Sequence, residues 1–415
     1  MAVIWKKVYN FASAKPKLYQ YMKQIYRHAL LTLLLGATCT TAGAATGDII
    51  NEDFSEFTGL YGNNTVIEKN GWTVHGCSTG TNTYTGMIKF ELIDESTGNA
   101  YATTPTFSGL TETCNAVMTI RCANTNKNYA RFSVTINGDG KFTNGTKTWR
   151  TTIEEGSQVF TNKTLKLIGV SAATSLTITL IKNNGGYFVL DDVVVSTADH
   201  VTLSESAENT LTTKVADVTV GRTLAAGVWN TLCLPFKTDK SAIAQATGNA
   251  VENVSLRTFS GFSENVLTFA TADTITAGTP FLVKLAQEAE NPTFTLVNLK
   301  GDIESNTRTV THNGASMIGI FDPTDIGAGG LFLTASGELK RASSGNTMLK
   351  GLRAYFTVPG TTTARLMIDD DATVIDMIEA APTDDRWYAP DGRRYSTQPT
   401  RRGIYIKDGK KVIIR

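Results

Sequence analysis

Apolar and polar residues alternate along most of the patterned segments of this chain. Ile88 and Phe90 flank Lys89, and the same period of two recurs at residues 132–136 and 176–180. Successive side chains of a β-strand point to opposite faces, so the pattern predicts strands with one buried and one wetted face. Sheets of this kind are antiparallel as a rule. The alternation therefore predicts an all-β fold and excludes a helical coiled coil.

Turn-forming residues separate these strands. Asn and Gly cluster at residues 137–140 and 183–186, a spacing typical of a β-sandwich. The helical pattern that we find is short, at residues 241–246, where Asp239 or Ser241 would cap the first turn. We therefore expect sheets throughout, with one brief helix.

The chain divides into four parts. The predicted fold consists of two consecutive antiparallel β-sandwich domains and a C-terminal β-hairpin tail. The divisions are residues 1–44, a leader; 45–197, the first sandwich; 198–377, the second sandwich; and 378–415, a linker and hairpin.

The leader has the features of a secretory signal peptide. Residues 30–35 form an apolar run after Arg27, and residues 42–44 read Ala-Gly-Ala, a typical cleavage pattern. The run is too short to span a bilayer, which needs about 20 residues. We predict that translation starts at Met22, that residues 1–44 are removed, and that the mature chain has no integral membrane span. A retained anchor, or a lipid attached at Cys39, is the alternative.

The leader also carries the positive charge of the chain. The whole sequence has 39 basic and 38 acidic residues, a net charge of +1. Residues 1–44 contain six basic residues and no acidic one, which leaves 33 basic residues against 38 acidic ones, a net charge of −5. A mildly acidic body has no basic field for nucleic acid, so no nucleic-acid partner is expected.

Four cysteines follow the leader, at positions 77, 114, 122 and 233. An even number in an exported chain permits disulfides. Cys114 and Cys122 fall on one predicted strand, where eight residues span about 26 Å, whereas bonded cysteines have Cα atoms within about 7 Å. These two cannot pair unless the strand turns. Cys77 could pair with either, and the alternative is buried free thiols.

Three short motifs mark the first sandwich. It opens with Glu-Asp-Phe at residues 52–54, continues with Gly-Trp at 71–72, and closes with Asp-Asp-Val at 191–193. In these motifs it resembles the jelly-roll domains called choice-of-anchor J or cleaved-adhesin-like. The resemblance implies a jelly roll over residues 45–197 and a role at the cell surface.

Further motifs follow in the second half of the chain. Four segments, at residues 222–224, 229–236, 277–284 and 353–356, are similar to those of a β-sandwich of unknown activity found in exported proteins of Bacteroidota-type bacteria. Residues 403–405 and 409–412 are similar to the C-terminal sorting signals of the type IX export route. That likeness implies the export machinery as a partner. The alternative is that the hairpin caps the preceding sandwich.

Four carboxylates are candidates for a metal site. The first and last strands of a jelly roll can be neighbours, so Glu52 or Asp53 could approach Asp191 or Asp192. Clustered carboxylates are unfavourable unless a cation or protons neutralise them, and calcium takes several oxygen ligands. A structural calcium ion is the predicted cofactor, and related jelly rolls often carry one. The alternatives are exposed or turn-capping side chains, or a glycosidase pair about 5–9 Å apart.

Aromatic residues of the first sandwich are candidates for stacking on sugar rings. The ligand-binding candidates are Trp149, whose neighbours in sequence are polar, together with Tyr84 and Tyr187. Trp72 follows a glycine before an apolar strand and is expected in the core. These residues predict a glycan or protein ligand outside the cell.

The predicted function is adhesion or ligand binding at the cell surface, with a glycan as candidate ligand and no catalysis. Residues 76–80 match the G-x-S-x-G pattern of serine hydrolases, but no helix follows to form the required elbow. The alternatives are a secreted hydrolase of glycans or peptides, or a structural part of a surface layer or fimbria. The expected location is secreted or on the outer cell surface.

Overall fold

Strands make up most of the described chain. The computed structural model describes residues 47–414, apart from gaps at 63–64, 82–83, 92, 95–97, 126–128, 154–158, 184–186, 344–345, 361–363, 369–372, 379–386, 391–392, 396 and 408–409. The predicted signal peptide lies outside the described residues. The prediction of an all-β fold is confirmed.

The first sandwich begins with eight short strands, and most of its later strands are longer. Its strands are β1 (Asp48–Glu52), β2 (Val66–Lys69), β3 (Trp72–His75), β4 (Cys77–Thr79), β5 (Ile88–Phe90), β6 (Ile93–Asp94), β7 (Gly98–Asn99), β8 (Tyr101–Thr103), β9 (Cys114–Asn124), β10 (Ala130–Asn137), β11 (Lys141–Phe142), β12 (Thr148–Ile153), β13 (Thr161–Val170), β14 (Ser175–Asn183) and β15 (Phe188–Thr197).

Two sheets enclose the core of this sandwich. One has the order β11-β13-β9-β15-β5-β4, with β1 also paired to β15, and the other has the order β12-β10-β14-β8-β3-β2. The expected adjacency of first and last strands is thus present, because Glu52 lies opposite Val193. Phe188 of β15 stacks on Phe132 of β10, with 4.6 Å between ring centroids, so aromatic side chains join the two sheets.

The second sandwich carries the helix and more strands. Its elements are β16 (Asp199–Ser204), β17 (Lys214–Gly221), β18 (Thr223–Leu224), β19 (Trp229–Leu232), β20 (Thr238–Asp239), α1 (Lys240–Thr247), a 3₁₀ turn (Val251–Asn253), β21 (Val254–Ser263), β22 (Val266–Thr271), β23 (Thr274–Ile275), β24 (Phe281–Leu285), β25 (Ala289–Glu290), β26 (Thr293–Leu299), β27 (Thr309–His312), β28 (Ala315–Ile320), β29 (Thr324–Asp325), β30 (Leu331–Leu333), β31 (Leu339–Arg341), β32 (Met348–Leu349), β33 (Arg353–Thr357), β34 (Arg365–Ile368) and β35 (Thr373–Ile378).

One long sheet dominates this half. Its eleven strands run in the order β19-β24-β21-β22-β34-β35-β31-β30-β33-β28-β27, and a separate sheet joins β16, β17 and β26. Most pairs are antiparallel, as predicted, but β22 with β34, β31 with β35, and β16 with β17 are parallel. Strand β19 also lies against β30 and β33, so the long sheet curls around an apolar cluster that includes Phe269 and Phe356.

The predicted helix forms with the predicted cap. In α1 the Asp239 side chain accepts a hydrogen bond from the backbone N–H of Ala242 at 2.8 Å, and Gly248 ends the helix with a left-handed φ of 69°. Ile243 and Ala244 face the core. Among the described residues, no helix is both long and apolar enough to cross a membrane.

The two sandwiches meet at a polar contact. The Asn115 amide on β9 donates a hydrogen bond of 2.8 Å to Asp217 on β17, and the other Asp217 oxygen accepts from the backbone N–H of Leu296 at 2.7 Å. Because Asp217 bonds to both halves at once, it links the two sheets across residue 198.

The tail is larger than the predicted hairpin. Its strands are β36 (Trp387–Tyr388), β37 (Arg394–Tyr395), β38 (Gly403–Lys407) and β39 (Lys410–Ile414). The pairing of β38 with β39 confirms the hairpin, while β36 and β37 extend it to a four-stranded sheet in the order β37-β36-β38-β39. Residues 408–409, which connect β38 to β39 in the sequence, and residues 379–386 of the linker lie outside the described residues.

All four cysteines of the described chain are free thiols. Cys77, Cys122 and Cys233 are buried, and Cys114 is half-buried. Burial raises the pKa of the Cys122 thiol to about 11 and that of Cys233 to about 12, despite nearby lysine and arginine. They act as small apolar groups, which was the alternative to disulfides.

Candidate functional site

Five residues form a surface on the outward side of the seven-stranded sheet, which we call the tyrosine face. They are Tyr61, Ser78, Lys89, Glu91 and Tyr187. Tyr61 forms a single β-bridge with Ser78, Ser78 lies opposite Lys89, and Lys89 lies opposite Val189 on β15. Neighbouring strands are about 4.8 Å apart, so this row spans about 14 Å.

The period of two explains why these side chains face outward. Cys77, Ile88 and Phe90 belong to the buried core between the two sheets. The residues that alternate with them, Ser78 and Lys89, must therefore point to the opposite face. The same alternation that builds the core places polar groups on this surface.

The polar residues of the tyrosine face are linked to one another. Lys89 Nζ lies 3.2 Å from Glu91 Oε1 and 4.4 Å from the centroid of the Tyr187 ring. The Ser78 hydroxyl donates a hydrogen bond to Glu91. Through these contacts the lysine and glutamate are held in place beside an aromatic ring, which limits their freedom before any ligand binds.

The two tyrosines at either side remain accessible. Tyr61 exposes 80% of its surface and Tyr187 exposes 40%, although most aromatic rings of this sandwich are buried. A flat ring in contact with water, next to fixed hydrogen-bonding groups, can stack on an apolar face of a ligand while its neighbours bond to polar groups. This is the chemistry that a sugar ring requires.

A buried ion pair lies beside this face. Asp191 has no exposed surface and forms a salt bridge with Arg121, whose side chain is 37% exposed. The pairing of β15 with β9 shifts between Leu190 and Asp192, so Asp191 is the extra residue of a β-bulge. Since Leu190 lies opposite Cys122, Asp191 lies beside Arg121, and the two side chains meet on the same side of the sheet.

Aromatic rings cover the arginine. The Arg121 guanidinium lies 4.3 Å from the centroid of the Phe160 ring, and Phe160 lies 6.4 Å from Tyr84. Stacking on an aromatic face suits the planar guanidinium and shields the ion pair from water. Tyr84 thus lies at the outer end of a chain of contacts that leads to Asp191.

The structure brings two of the three predicted ligand-binding aromatics to this side of the sandwich. Tyr187 is part of the tyrosine face, and Tyr84 reaches the neighbouring Arg121 through Phe160. Trp149 does not join them, since it lies on β12 of the other sheet, where it packs edge-to-face on Phe132 at 5.8 Å. It is half-buried against the core.

Sequence reasoning missed Tyr61, Lys89 and Glu91. The alternation at residues 88–90 already indicated that Lys89 faces outward, and this signal could have found the lysine. Tyr61 gave no such signal, because it belongs to no regular strand. A single bridge to Ser78, 17 residues further along the chain, sets its position.

Three of the four predicted metal ligands, Glu52, Asp53 and Asp191, contact different groups of the protein. Glu52 accepts a hydrogen bond from the backbone N–H of Phe54 at 2.7 Å, and Asp53 accepts from Ser55, while Asp191 faces Arg121. Burial, only partly opposed by that hydrogen bond, raises the pKa of Glu52. No group of three or more potential metal ligands occurs among the described residues. Calcium binding stays a prediction, which a calcium titration would test.

The residues at and beside the hydrolase-like pattern, residues 76–80, make contacts within the fold. Ser78 lies within strand β4, not at a turn before a helix, and bonds to Glu91. Burial raises the pKa of the Cys77 thiol well above its ordinary value. The Cys77 thiol donates to the backbone carbonyl of His75, whose ring stacks on Tyr101 at 5.3 Å. Ser78 therefore serves the tyrosine face.

Among known proteins, the similarities found for this chain are to solved structures. No family model and no curated protein matches the chain. Its fold is similar to that of the K3 cleaved adhesin domain of Lys-gingipain from Porphyromonas gingivalis W83, with a TM-score of 0.26 and 14% identity, over 37% of this chain and 99% of that one.

Two further structures are similar. The CBM22-1 xylan-binding domain of Paenibacillus barcinonensis Xyn10C has a TM-score of 0.26 and 10% identity, covering 38% of this chain and 97% of that chain. A cycloisomaltooligosaccharide glucanotransferase from Paenibacillus sp. has a TM-score of 0.23 and 11% identity, covering 73% of this chain and 45% of that chain. At these TM-scores the likeness carries no functional argument. A functional proposal must therefore rest on the geometry of the site.

Proposed function

We propose that the protein is an exported, non-catalytic carbohydrate-binding protein and that the tyrosine face is its binding surface. The observation that carries the proposal is the pair of exposed tyrosines, Tyr61 and Tyr187, on either side of the linked Lys89–Glu91 pair. The aromatic rings would stack on the apolar faces of sugar rings, and the ion pair with Ser78 would bond to hydroxyl groups.

The shape of the surface favours an extended ligand. Val189 is buried, so the accessible row runs from Tyr61 through Ser78 to Lys89, with the Tyr187 ring over the Lys89 ammonium. A row about 10 Å long fits linked sugar units better than a single one. We therefore expect an oligosaccharide or polysaccharide, bound across the strands with shallow contacts.

A glycan array with purified residues 45–415 tests this proposal. Tyr61→Ala and Tyr187→Ala should each weaken binding to the best array ligand at least tenfold. Tyr395→Ala is the matched control, because it removes a partly exposed tyrosine from the tail sheet. Equal binding by all three variants would exclude the tyrosine face, and no bound glycan at all would exclude the function.

Catalysis is tested with the same material. A screen of polysaccharide and peptide hydrolysis should detect no turnover above that of the purification blank. Turnover that survives repurification, and is lost in Ser78→Ala or Glu91→Gln, would replace binding with the secreted-hydrolase alternative. The two variants leave Tyr61 and Tyr187 in place, so aromatic contacts to a glycan would persist.

Export is a separate part of the proposal. Its basis is the signal-like leader and the tail motifs at residues 403–405 and 409–412. Deletion of residues 403–415 should abolish surface display or release of the protein while the rest of the chain accumulates inside the cell. Display that is unchanged by the deletion would assign the hairpin to the fold alone.

A further inference from the structure

A cleft of about 240 Å³ opens in the second sandwich, on a different part of the molecule from the tyrosine face. Several strand ends meet there, since Arg222 lies between β17 and β18, Trp229 begins β19, and Arg353 begins β33. Glu205 follows β16, and Leu333 ends β30 on another wall. Both polar and apolar groups therefore line the cleft.

Arg222 is the most unusual residue of this cleft. It is 3% exposed, and its Nη1 donates to the backbone carbonyls of Thr231 and Leu352, both at 2.8 Å. Its Nε has no hydrogen-bond acceptor among the described residues. Buried charged groups are normally paired with an opposite charge, and the acceptors seen here are neutral.

Glu205, the carboxylate whose charge acts on Arg222, is already bound by other cations. Glu205 accepts hydrogen bonds of 2.5 Å from Lys350 Nζ and from Arg353 Nη2. Arg222 therefore lies in the field of Arg353 as well as of Glu205. Burial, and then the repulsion by Arg353, lowers the pKa of Arg222 to about 9, and Glu205 only partly opposes them.

The charge around the cleft is not balanced. Among the residues that line the cleft, Glu205 and the exposed Glu288 offset Arg222 and Arg353, and Lys350, which bonds to Glu205 but is not part of the lining, adds one positive charge in excess. An anionic group in the cleft would remove that excess and would give Arg222 an opposite charge in place of neutral acceptors alone. Guanidinium groups bind carboxylates with paired hydrogen bonds, so a carboxylate suits this position.

We propose that this cleft binds a small carboxylate, held by Arg222 and Arg353, with its apolar part against Trp229 and Leu333. The volume limits the ligand to about the size of one sugar acid or one acidic peptide terminus, because pockets for larger ligands begin at about 300 Å³. This site is independent of the proposed glycan surface and extends beyond it.

Two matched pairs of probes test the proposal by isothermal titration calorimetry. D-glucuronate is compared with D-glucose, and N-acetyl-L-alanine with its amide. At least one acid should bind tenfold or more tightly than its neutral partner. The sugar pair and the peptide pair distinguish the source of the carboxylate, and equal binding of acid and neutral forms in both pairs would overturn the proposal.

Variants then locate the binding site. Ala335→Trp fills the cleft from an exposed position and should reduce acid binding at least tenfold, whereas Ala270→Trp, on exposed β22, should leave it unchanged. Arg353→Gln should also weaken binding. Retained affinity in Ala335→Trp would overturn the assignment. Tyr61→Ala should not change acid affinity, so failure of the glycan proposal would not be confused with failure of this one.

Discussion

Each sandwich buries one charge, of opposite sign in the two, and the groups that bond to these charges differ. In the first, the Asp191 carboxylate has no exposed surface and is paired with Arg121, which reaches water and stacks on Phe160. In the second, the Arg222 guanidinium is buried and bonds to two backbone carbonyls, while Glu205 bonds elsewhere. One buried charge has its own partner, and the other has neutral acceptors.

This difference separates a structural charge from a binding charge. An ion pair that is complete within the protein needs no further ligand, and it supports a neighbouring surface through its rigidity. A buried guanidinium whose acceptors are neutral carbonyls still lacks an opposite charge, which an anion can supply. The tyrosine face therefore lies beside a neutralised centre, whereas the cleft at Arg222 has binding capacity in its own walls.

The largest expected effect comes from breaking the complete pair. Arg121→Met should lower the free energy of unfolding by about 3 kcal/mol, because it leaves the Asp191 carboxylate buried without its cation. The value lies at the lower end of the range for buried pairs, since Arg121 is 37% exposed. Urea denaturation, monitored by near-UV circular dichroism, measures this change in the free energy of unfolding.

A second variant tests whether the charge is the cause. Arg121→Met combined with Asp191→Leu removes both charges and should recover most of the lost stability, as replacement of a whole buried pair by apolar residues often does. A double variant as unstable as the single one would instead attribute the loss to the packing of the Arg121 stem on Phe160.

Removal of the other buried charge should cost less. Arg222→Met leaves the carbonyls of Thr231 and Leu352 without this donor, but no carboxylate loses a direct ion-pair partner. We therefore expect the free energy of unfolding to fall by about 2 kcal/mol. The same denaturation experiment compares it with Arg121→Met. A larger loss for Arg222→Met would show that its field on Glu205 and Arg353 matters more than direct pairing.

Local patterns predicted the strands, but the two buried charges depend on long-range structure. Alternation at residues 132–136 and the Asp239 cap correctly predicted strand β10 and helix α1. The doublet at residues 191–192 could not reveal its bulge, because the bulge exists only in the pairing of β15 with β9. Similarly, one of the two acceptors of Arg222 is the carbonyl of Leu352, 130 residues further along the chain.

The same limit applies to the candidate surface. Tyr187 was among the aromatic candidates of the first sandwich, and it exposes 40% of its surface. Tyr61 was missed because its position depends on one bridge to Ser78. The extra strands of the tail, β36 and β37, were missed because two-residue strands carry no measurable periodicity.

A smaller effect, dependent on pH, is expected at Glu205. Partial burial alone would raise its pKa, but the hydrogen bonds and charges of Lys350 and Arg353 outweigh burial, so the pKa lies below its ordinary value of 4.5. A lowered carboxyl pKa stabilises the fold above the ordinary value, and this contribution is lost as the pH falls through the folded-state pKa.

Glu205→Gln should therefore be less stable than the native protein by about 1–2 kcal/mol at pH 7. The difference should shrink steadily below about pH 4.5, where protonation has the same effect as the substitution. Thermal unfolding from pH 3 to pH 8 measures this. Glu208→Gln, three residues further on and exposed, is the control and should show no such trend. A pH-independent difference would contradict the role of ionised Glu205.

The smallest effects on stability belong to the tyrosine face, where the effect on binding is largest. Tyr187→Ala should cost about 0.5–1 kcal/mol, because the ring covers the Lys89 ammonium at 4.4 Å. Tyr61→Ala should stay within about 0.5 kcal/mol, since 80% of that residue is in water. Chemical denaturation of both, beside the glycan measurements, tests whether Tyr61 is exposed for binding. A Tyr61→Ala variant that loses stability and binding in the same proportion would make the ring a structural contact instead.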